Sequence, residues 1–202
     1  MDRRALMGLI ALMTTPGVTA FAGEFSGDPA VRLSGDGRTA TLIESFSFKD
    51  DEGRSWDVPA GTVVDGASIP QPFWTFIGGP FEGRYRNASI VHDHYCVKRS
   101  RPWRAVHRVF YEGMIAGGVD EAKAKLMYYA VYKFGPRWEV RTVKVPRPHL
   151  SGPTTMEERT VAVSLPVAAY NEDEVAEAIR VLNASRPSLD EIDRLADRGG
   201  LK

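Results

Sequence analysis

From Asp65 to Arg86 the sequence loses its periodicity, and that interruption separates two stretches built on different repeats. The segment DGASIPQPFWTFIGGPFEGRYR sets Pro70, Pro72, Pro80 and four glycines among Phe73, Trp74, Phe76 and Phe81. Proline lacks an amide donor and glycine weakens both helix and strand, so this composition predicts a long loop. A loop so long and so aromatic either serves function or plugs one end of a core, and the two roles are compatible. The residues before it alternate with strand period and those after it repeat with helical period.

The early pattern, VRLSGDGRTATLIESFSF, reads as two strands joined by a turn at Gly35–Gly37, with Phe46 and Phe48 on a greasy face and Ser45 and Ser47 on a polar one. SWDVPAGTVVD adds a third strand, interrupted at Pro59 and Gly61. Three helices are predicted next. They are ASIVHDHYCVK behind an Asn87 cap, WRAVHRVFYEGMIAG stopped by Gly117 and Gly118, and DEAKAKLMYYAVYKF between Asp120 and Gly135–Pro136. RWEVRTVKV reads as a strand, PRPHLSGPTT as a linker and RTVAVSLPV as another strand. Two short amphipathic helices close the chain, with capping boxes at Asn171/Glu174 and Ser188/Glu191. The expected fold is α+β: a small antiparallel sheet packed against a three-helix unit, with a C-terminal helical extension. The predicted divisions are 1–22, 23–145 for the core, and 146–202 for linker and extension.

Residues 1–22 read as a signal peptide. MDRR is a basic start that includes a twin arginine, ALMGLIALMTTPGV is an apolar run shorter than the roughly 20 residues of a membrane span, and Ala20 and Ala22 form an A-x-A cleavage pattern. Cleavage after Ala22 leaves no transmembrane span, and the expected location is periplasmic or secreted. Cys96 is the sole cysteine, so no intrachain disulfide forms and the thiol is expected to be buried. The 26 basic and 26 acidic residues cancel, so no global field favours nucleic acid. Arg84, Arg86, Lys98, Arg99, Arg101, Arg104 and Arg108 crowd one stretch, a solvated face or an attractor for envelope lipid headgroups or cell-wall polymers.

On a helical wheel Ala88, Val91, His92, Tyr95 and Cys96 share the inner face of the first helix, with Asp93 at its edge and Ile90 and His94 turned away. Trp103, Val106, Val109, Phe110 and Met114 share a face of the second helix, with His107 at its margin. A short KRSRP connection favours antiparallel packing, which brings His92 toward His107 while Asp65 approaches from the loop. A buried titrating pair is expensive unless something satisfies or uses it. Used, His92 is a general base, His107 fixes its tautomer, and Asp93 holds a cation that polarises a carbonyl. Asp65, Gly66 and Ser68 of the loop and Tyr95 of the helix complete the candidate set. The same groups can instead ligate a transition metal through His92, His107 and Asp65 or Asp93. The plainer alternative is a core histidine pair beside an aspartate that caps a loop.

VPAGTVVDGASIP, ASIVHDHYC, AVHRVFYEGM and AKLMYYAVYKFG, from about Val58 to Trp138, resemble the bacterial and phage family filed as domain of unknown function 1353. That resemblance implies no activity. In the family the position of His107 is often an aspartate, which suits a polar partner for His92. DGAS followed by HDHYC and FYEGM is also similar to the prokaryotic secretory phospholipases of the A-two class. That similarity implies a calcium loop at Asp65–Ala67, His92 as base, Asp93 as calcium ligand and His107 as the orienting group. Ala67 stands where those enzymes place a cysteine, and His107 replaces an acid. The expected function is an exported hydrolase of envelope or lipid esters with a divalent cation, calcium before zinc. The alternative is a non-catalytic envelope or phage-related binding or structural protein.

Overall fold

The computed structural model describes residues 23–35, 39–66, 73, 83–148 and 155–198. The signal-peptide reading and Ser68 therefore fall outside the described residues. The fold is α+β, with antiparallel strands in three small groups. Strands β1 (Glu24–Phe25), β4 (Phe46–Lys49) and β5 (Ser55–Val58) form one sheet in the order β1-β4-β5. Strands β2 (Val31–Leu33), β3 (Ala40–Leu42) and β6 (Val63–Val64) form a second, in the order β2-β3-β6. The interruption at Pro59 and Gly61 thus does more than break a strand. It hands the chain from one sheet to the other.

Alternation decides which face is covered. Phe46 pairs with Val58 and Phe48 with Trp56, and all four are buried on the same face. The KDDEGR turn is organised by Asp50, whose carboxylate accepts from the Arg54 amide at 2.8 Å, from Arg54 Nε at 2.7 Å and from Trp56 Nε1 at 2.8 Å. Asp50 is fully buried, and those donors, against the effect of its burial, hold its carboxyl below the usual range.

The helices follow as α1 (Arg86–Lys98), α2 (Trp103–Ala116) and α3 (Glu121–Phe134). Asp120 caps α3, accepting from the Ala122 and Lys123 amides at 3.0 and 3.2 Å. Asn87 does not cap α1. A 3-10 turn at Gly83–Tyr85 runs straight into the helix, which starts one residue earlier with no side-chain cap. Ile90 also differs from the wheel, being fully buried rather than turned to solvent. The reason is tertiary. Helix α1 packs α2 on one side and β5 and β6 on the other, so it has two apolar faces.

His92 touches His107 while Ala88 lies against Gly113, so α1 and α2 run antiparallel. A Cβ on Gly113 would sit 3.0 Å from that of Ala88 and 3.3 Å from the Phe25 ring, and its absence permits the close approach. Phe73, the described residue of the aromatic loop, is fully buried and meets Phe134 at 5.7 Å and Tyr170 at 6.1 Å between ring centroids. It fills the end of the core formed by Phe110, Met114, Met127 and Val131.

After α3 the chain enters a two-stranded ribbon, β7 (Arg137–Arg147) and β8 (Thr155–Leu165), in continuous antiparallel register. The ribbon crosses residue 146, where the sequence suggests a linker. Helices α4 (Glu172–Ser185) and α5 (Leu189–Asp197) then return to pack on α3. Ser188 and Glu191 form the expected capping box. Asn171 accepts from the Glu174 amide at 2.9 Å, but the Glu174 carboxylate goes to Lys133 at 2.7 Å instead of back to the cap. Among the described residues no helix is long and apolar enough to cross a membrane.

Candidate functional site

The antiparallel pair places His92 Nε2 2.8 Å from His107 Nδ1, with both side chains fully buried. His107 Nε2 lies 3.2 Å from the Pro136 carbonyl oxygen, just beyond the end of α3. A carbonyl only accepts, so His107 carries its proton on Nε2 and accepts at Nδ1, and His92 donates from Nε2. These tautomers are assigned from the hydrogen-bond network. Phe110 and Trp103 wall the rings at 4.8 Å from His92 and 5.5 Å from His107.

Cys96, one helical turn after His92, brings its Sγ to 3.6 Å from His92 Nε2 and 3.8 Å from Nδ1. One ligand atom each from His92, Cys96 and His107 lies within 4.8 Å of the others, and all three residues are buried. This His-Cys-His group can hold a metal ion. The sequence favours a buried structural thiol at Cys96 over a nucleophile and does not place it among the metal ligands. The signal for more was its i,i+4 spacing from His92 on one face. Nothing local in the sequence points to the Pro136 carbonyl.

Asp93 faces the other way, toward the start of the loop. Its Oδ2 accepts from the amides of Asp65 at 3.1 Å and Gly66 at 2.8 Å. Gly66 adopts φ 94°, a left-handed conformation that few side chains tolerate and that helps turn its amide to the carboxylate. Asp93 Oδ1 is buried and has no hydrogen-bond partner among the described residues. It lies 4.0 Å from His92 Nδ1. Asp65 is exposed, and desolvation together with the Asp93 charge pushes its carboxyl above the usual range. Tyr95 does not join the group. Its hydroxyl accepts from the Asp57 amide at 3.1 Å and donates to the Asp57 carbonyl at 3.3 Å, stapling α1 to β5.

The two rings differ in basicity. Burial acts against a charge on His92, yet its interactions with Cys96 and Asp93 outweigh it and raise the ring to about 10. Burial, then the charge of His92, drives His107 well below the ordinary histidine value. The pair therefore keeps its extra proton on His92 and leaves His107 neutral.

The basic stretch is largely engaged within the fold. Arg101 donates to the Ser55 carbonyl at 2.6 Å and stacks 4.1 Å over Trp56. Arg99 donates to Ser164 Oγ at 2.8 Å and Arg104 to the Tyr132 hydroxyl at 3.1 Å. Arg108 bridges Asp190 and Asp193.

Comparisons with known proteins add a family and two relatives to this geometry. A family model described as protein of unknown function (DUF1353) matches residues 40–131, from β3 through most of α3. The matched segment is a little under half of the chain. That segment holds Asp65, His92, Asp93, Cys96 and His107, whereas Pro136, α4 and α5 lie beyond it. The chain is also similar to uncharacterized protein y4jT of Sinorhizobium fredii (strain NBRC 101917 / NGR234), at 49% identity over 72% of this chain and 44% of that protein. Uncharacterized protein y4iH of the same strain is 43% identical over 58% of this chain and 48% of its own length. The chain thus spans less than half the length of each of these two relatives. No solved structure matches it.

Proposed function

We propose that the DUF1353 segment carries a hydrolytic site in which His92 Nδ1 accepts a proton from water, His107 holds the ring, and Asp93 with Asp65 holds a divalent cation such as calcium. What carries this reading is the one-sided use of His92. Nε2 is committed to His107 at 2.8 Å, while Nδ1 faces an Asp93 oxygen that has no partner among the described residues. A base held at one nitrogen by a third group is the general arrangement for water activation. A hard cation suits carboxylate oxygens, and its role would be to polarise an ester carbonyl.

The interactions that keep a proton on His92 are those with Cys96 and Asp93. A cation on Asp93 offsets one of them and lowers the ring toward a working pKa. Both rings are sealed from solvent, so turnover requires the site to open. The N-terminal A-x-A pattern supports export, and envelope lipid or cell-wall polymer is the substrate class proposed on that basis.

A second reading rests on the two amide bonds to Asp93 Oδ2, which suit a carboxylate whose task is to hold the loop on α1 of a non-catalytic protein. One experiment separates the two. The full chain is assayed on phospholipid, simple ester and peptidoglycan substrates with calcium and with chelator, beside His92→Gln. The hydrolytic reading expects calcium-dependent turnover that falls about 100-fold or more in a folded variant. No turnover on any substrate, or an equally active His92→Gln, leaves the loop-holding reading.

A further inference from the structure

We infer that His92, Cys96 and His107 form a binding site for a thiophilic transition metal of the zinc type, and that its occupancy excludes the use of His92 as a base. The site does not depend on the hydrolytic reading. The ligand set decides the metal class. Two imidazole nitrogens and a thiolate suit zinc, cobalt or copper(I) and do not suit calcium or magnesium.

The spacing is close to what such a metal needs. Tetrahedral zinc, with bonds of about 2.0–2.1 Å to nitrogen and about 2.3 Å to sulfur, separates two nitrogens by about 3.3 Å and nitrogen from sulfur by about 3.6 Å. His92 Nε2 and Cys96 Sγ already lie 3.6 Å apart, and His92 Nε2 and His107 Nδ1 lie 2.8 Å apart. Separation of the rings by about half an ångström replaces their shared proton with a metal. Three ligands leave a fourth position open.

The surrounding hydrogen bonds point the same way. A ligating histidine usually donates its second ring N–H to a carbonyl or carboxylate. His107 has that donation in place, from Nε2 to Pro136. A metal on His92 Nε2 leaves the ring proton on Nδ1, which faces Asp93 Oδ1 at 4.0 Å, an oxygen with no partner among the described residues. With a metal on Nε2 and a proton on Nδ1, neither nitrogen of His92 can take a proton from water.

The test uses the full chain without added histidines, titrated with cobalt(II) and read by absorbance in the absence of substrate. The expected result is one equivalent bound, with a thiolate-to-cobalt charge-transfer band in the near ultraviolet. Zinc should displace the cobalt and calcium should not. Cys96 is the sole cysteine, so in the wild-type chain that band has a single source. Cys96→Ser should remove the band, and His107→Asn should weaken binding about tenfold or more. Absence of the band in the wild-type chain overturns the proposal whether or not the variants fold, and so does binding that is unchanged in Cys96→Ser. Because no turnover is measured, failure of the hydrolytic reading leaves this result intact.

Discussion

Two polar clusters flank the helical core, one partly exposed and one buried, and they are finished to different degrees. The first joins α2 and α3 to the C-terminal helices. Tyr128 donates to Asp193 at 2.5 Å and Tyr132 to Asp197 at 3.2 Å, while Lys133 meets Glu174 at 2.7 Å and the Ala196 carbonyl at 2.9 Å. The Lys133 ammonium also reaches the Arg198 carbonyl at 3.4 Å, which gives it a third acceptor. The second cluster, between α1 and α2, leaves Asp93 Oδ1 without a partner among the described residues and brings a thiol and two imidazoles together. A satisfied network is what stability alone requires, whereas a buried acceptor without a donor is a debt that stability does not explain. The contrast sets the first cluster apart as a satisfied network and the second as the candidate site.

The contrast fails if the satisfied network turns out to carry function or the candidate site turns out to carry most of the stability. Glu174→Ala tests the first and should have the largest effect on folding. It strips the carboxylate from the nearly buried Lys133 ammonium, at a cost of about 3 kcal/mol in chemical denaturation. Cobalt binding and any turnover should survive at temperatures where the variant stays folded.

His107→Leu tests the second. It removes the acceptor of His92 Nε2 and the donor to Pro136, for about 2 kcal/mol. It should also abolish the cobalt spectrum. A variant that keeps wild-type metal affinity would move His107 into the structural class.

Asp93→Asn keeps an oxygen for the Asp65 and Gly66 amides but removes the charge, so its effect should be chiefly on pH dependence. His92 titrates near 10 in the fold and at about 6.5 when unfolded. The stability this shift supplies is complete below about pH 6.5 and is lost as pH rises through about 10. Asp93 is one cause of the shift, so the variant's His92 should titrate lower and its alkaline loss of stability should be shallower. Imidazole proton resonances and melting curves between these limits measure both. An unchanged titration would show that Cys96 alone holds the proton.

Glu112 lies in neither cluster and should give the smallest effect. Its Oε2 is buried without a partner among the described residues, and burial, then Asp51 and Asp50, pushes its carboxyl up to about 7. A raised acid binds more protons folded than unfolded, so it erodes stability as pH rises from about 4.5 to about 7. Glu112→Gln should remove that slope and gain about 1 kcal/mol or less at pH 8, since solvent screens a half-buried group. Thermal melts at pH 5 and pH 8 decide it.

Much of this molecule is local and was therefore readable from the chain. Phe46 and Phe48 alternate, Asp120 and Ser188 sit at helix starts, and Trp103 to Met114 repeat at helical spacing, because each depends on neighbours within a turn or two. His92 and His107 were also readable as inward groups on adjacent antiparallel helices. Tertiary structure alone decided what surrounds them. Ile90 is buried because two sheets cover the second face of α1. Cys96 meets a second imidazole because antiparallel packing sets His107 against His92. Pro136 fixes the tautomers from 29 residues away. Asp93 binds the loop with Oδ2 and leaves Oδ1 over, a choice set by where Gly66 turns. Periodicity states which way a side chain points. Only packing across the chain states what it meets there, because those partners are distant in sequence and are brought together by the burial of surfaces that no single segment possesses.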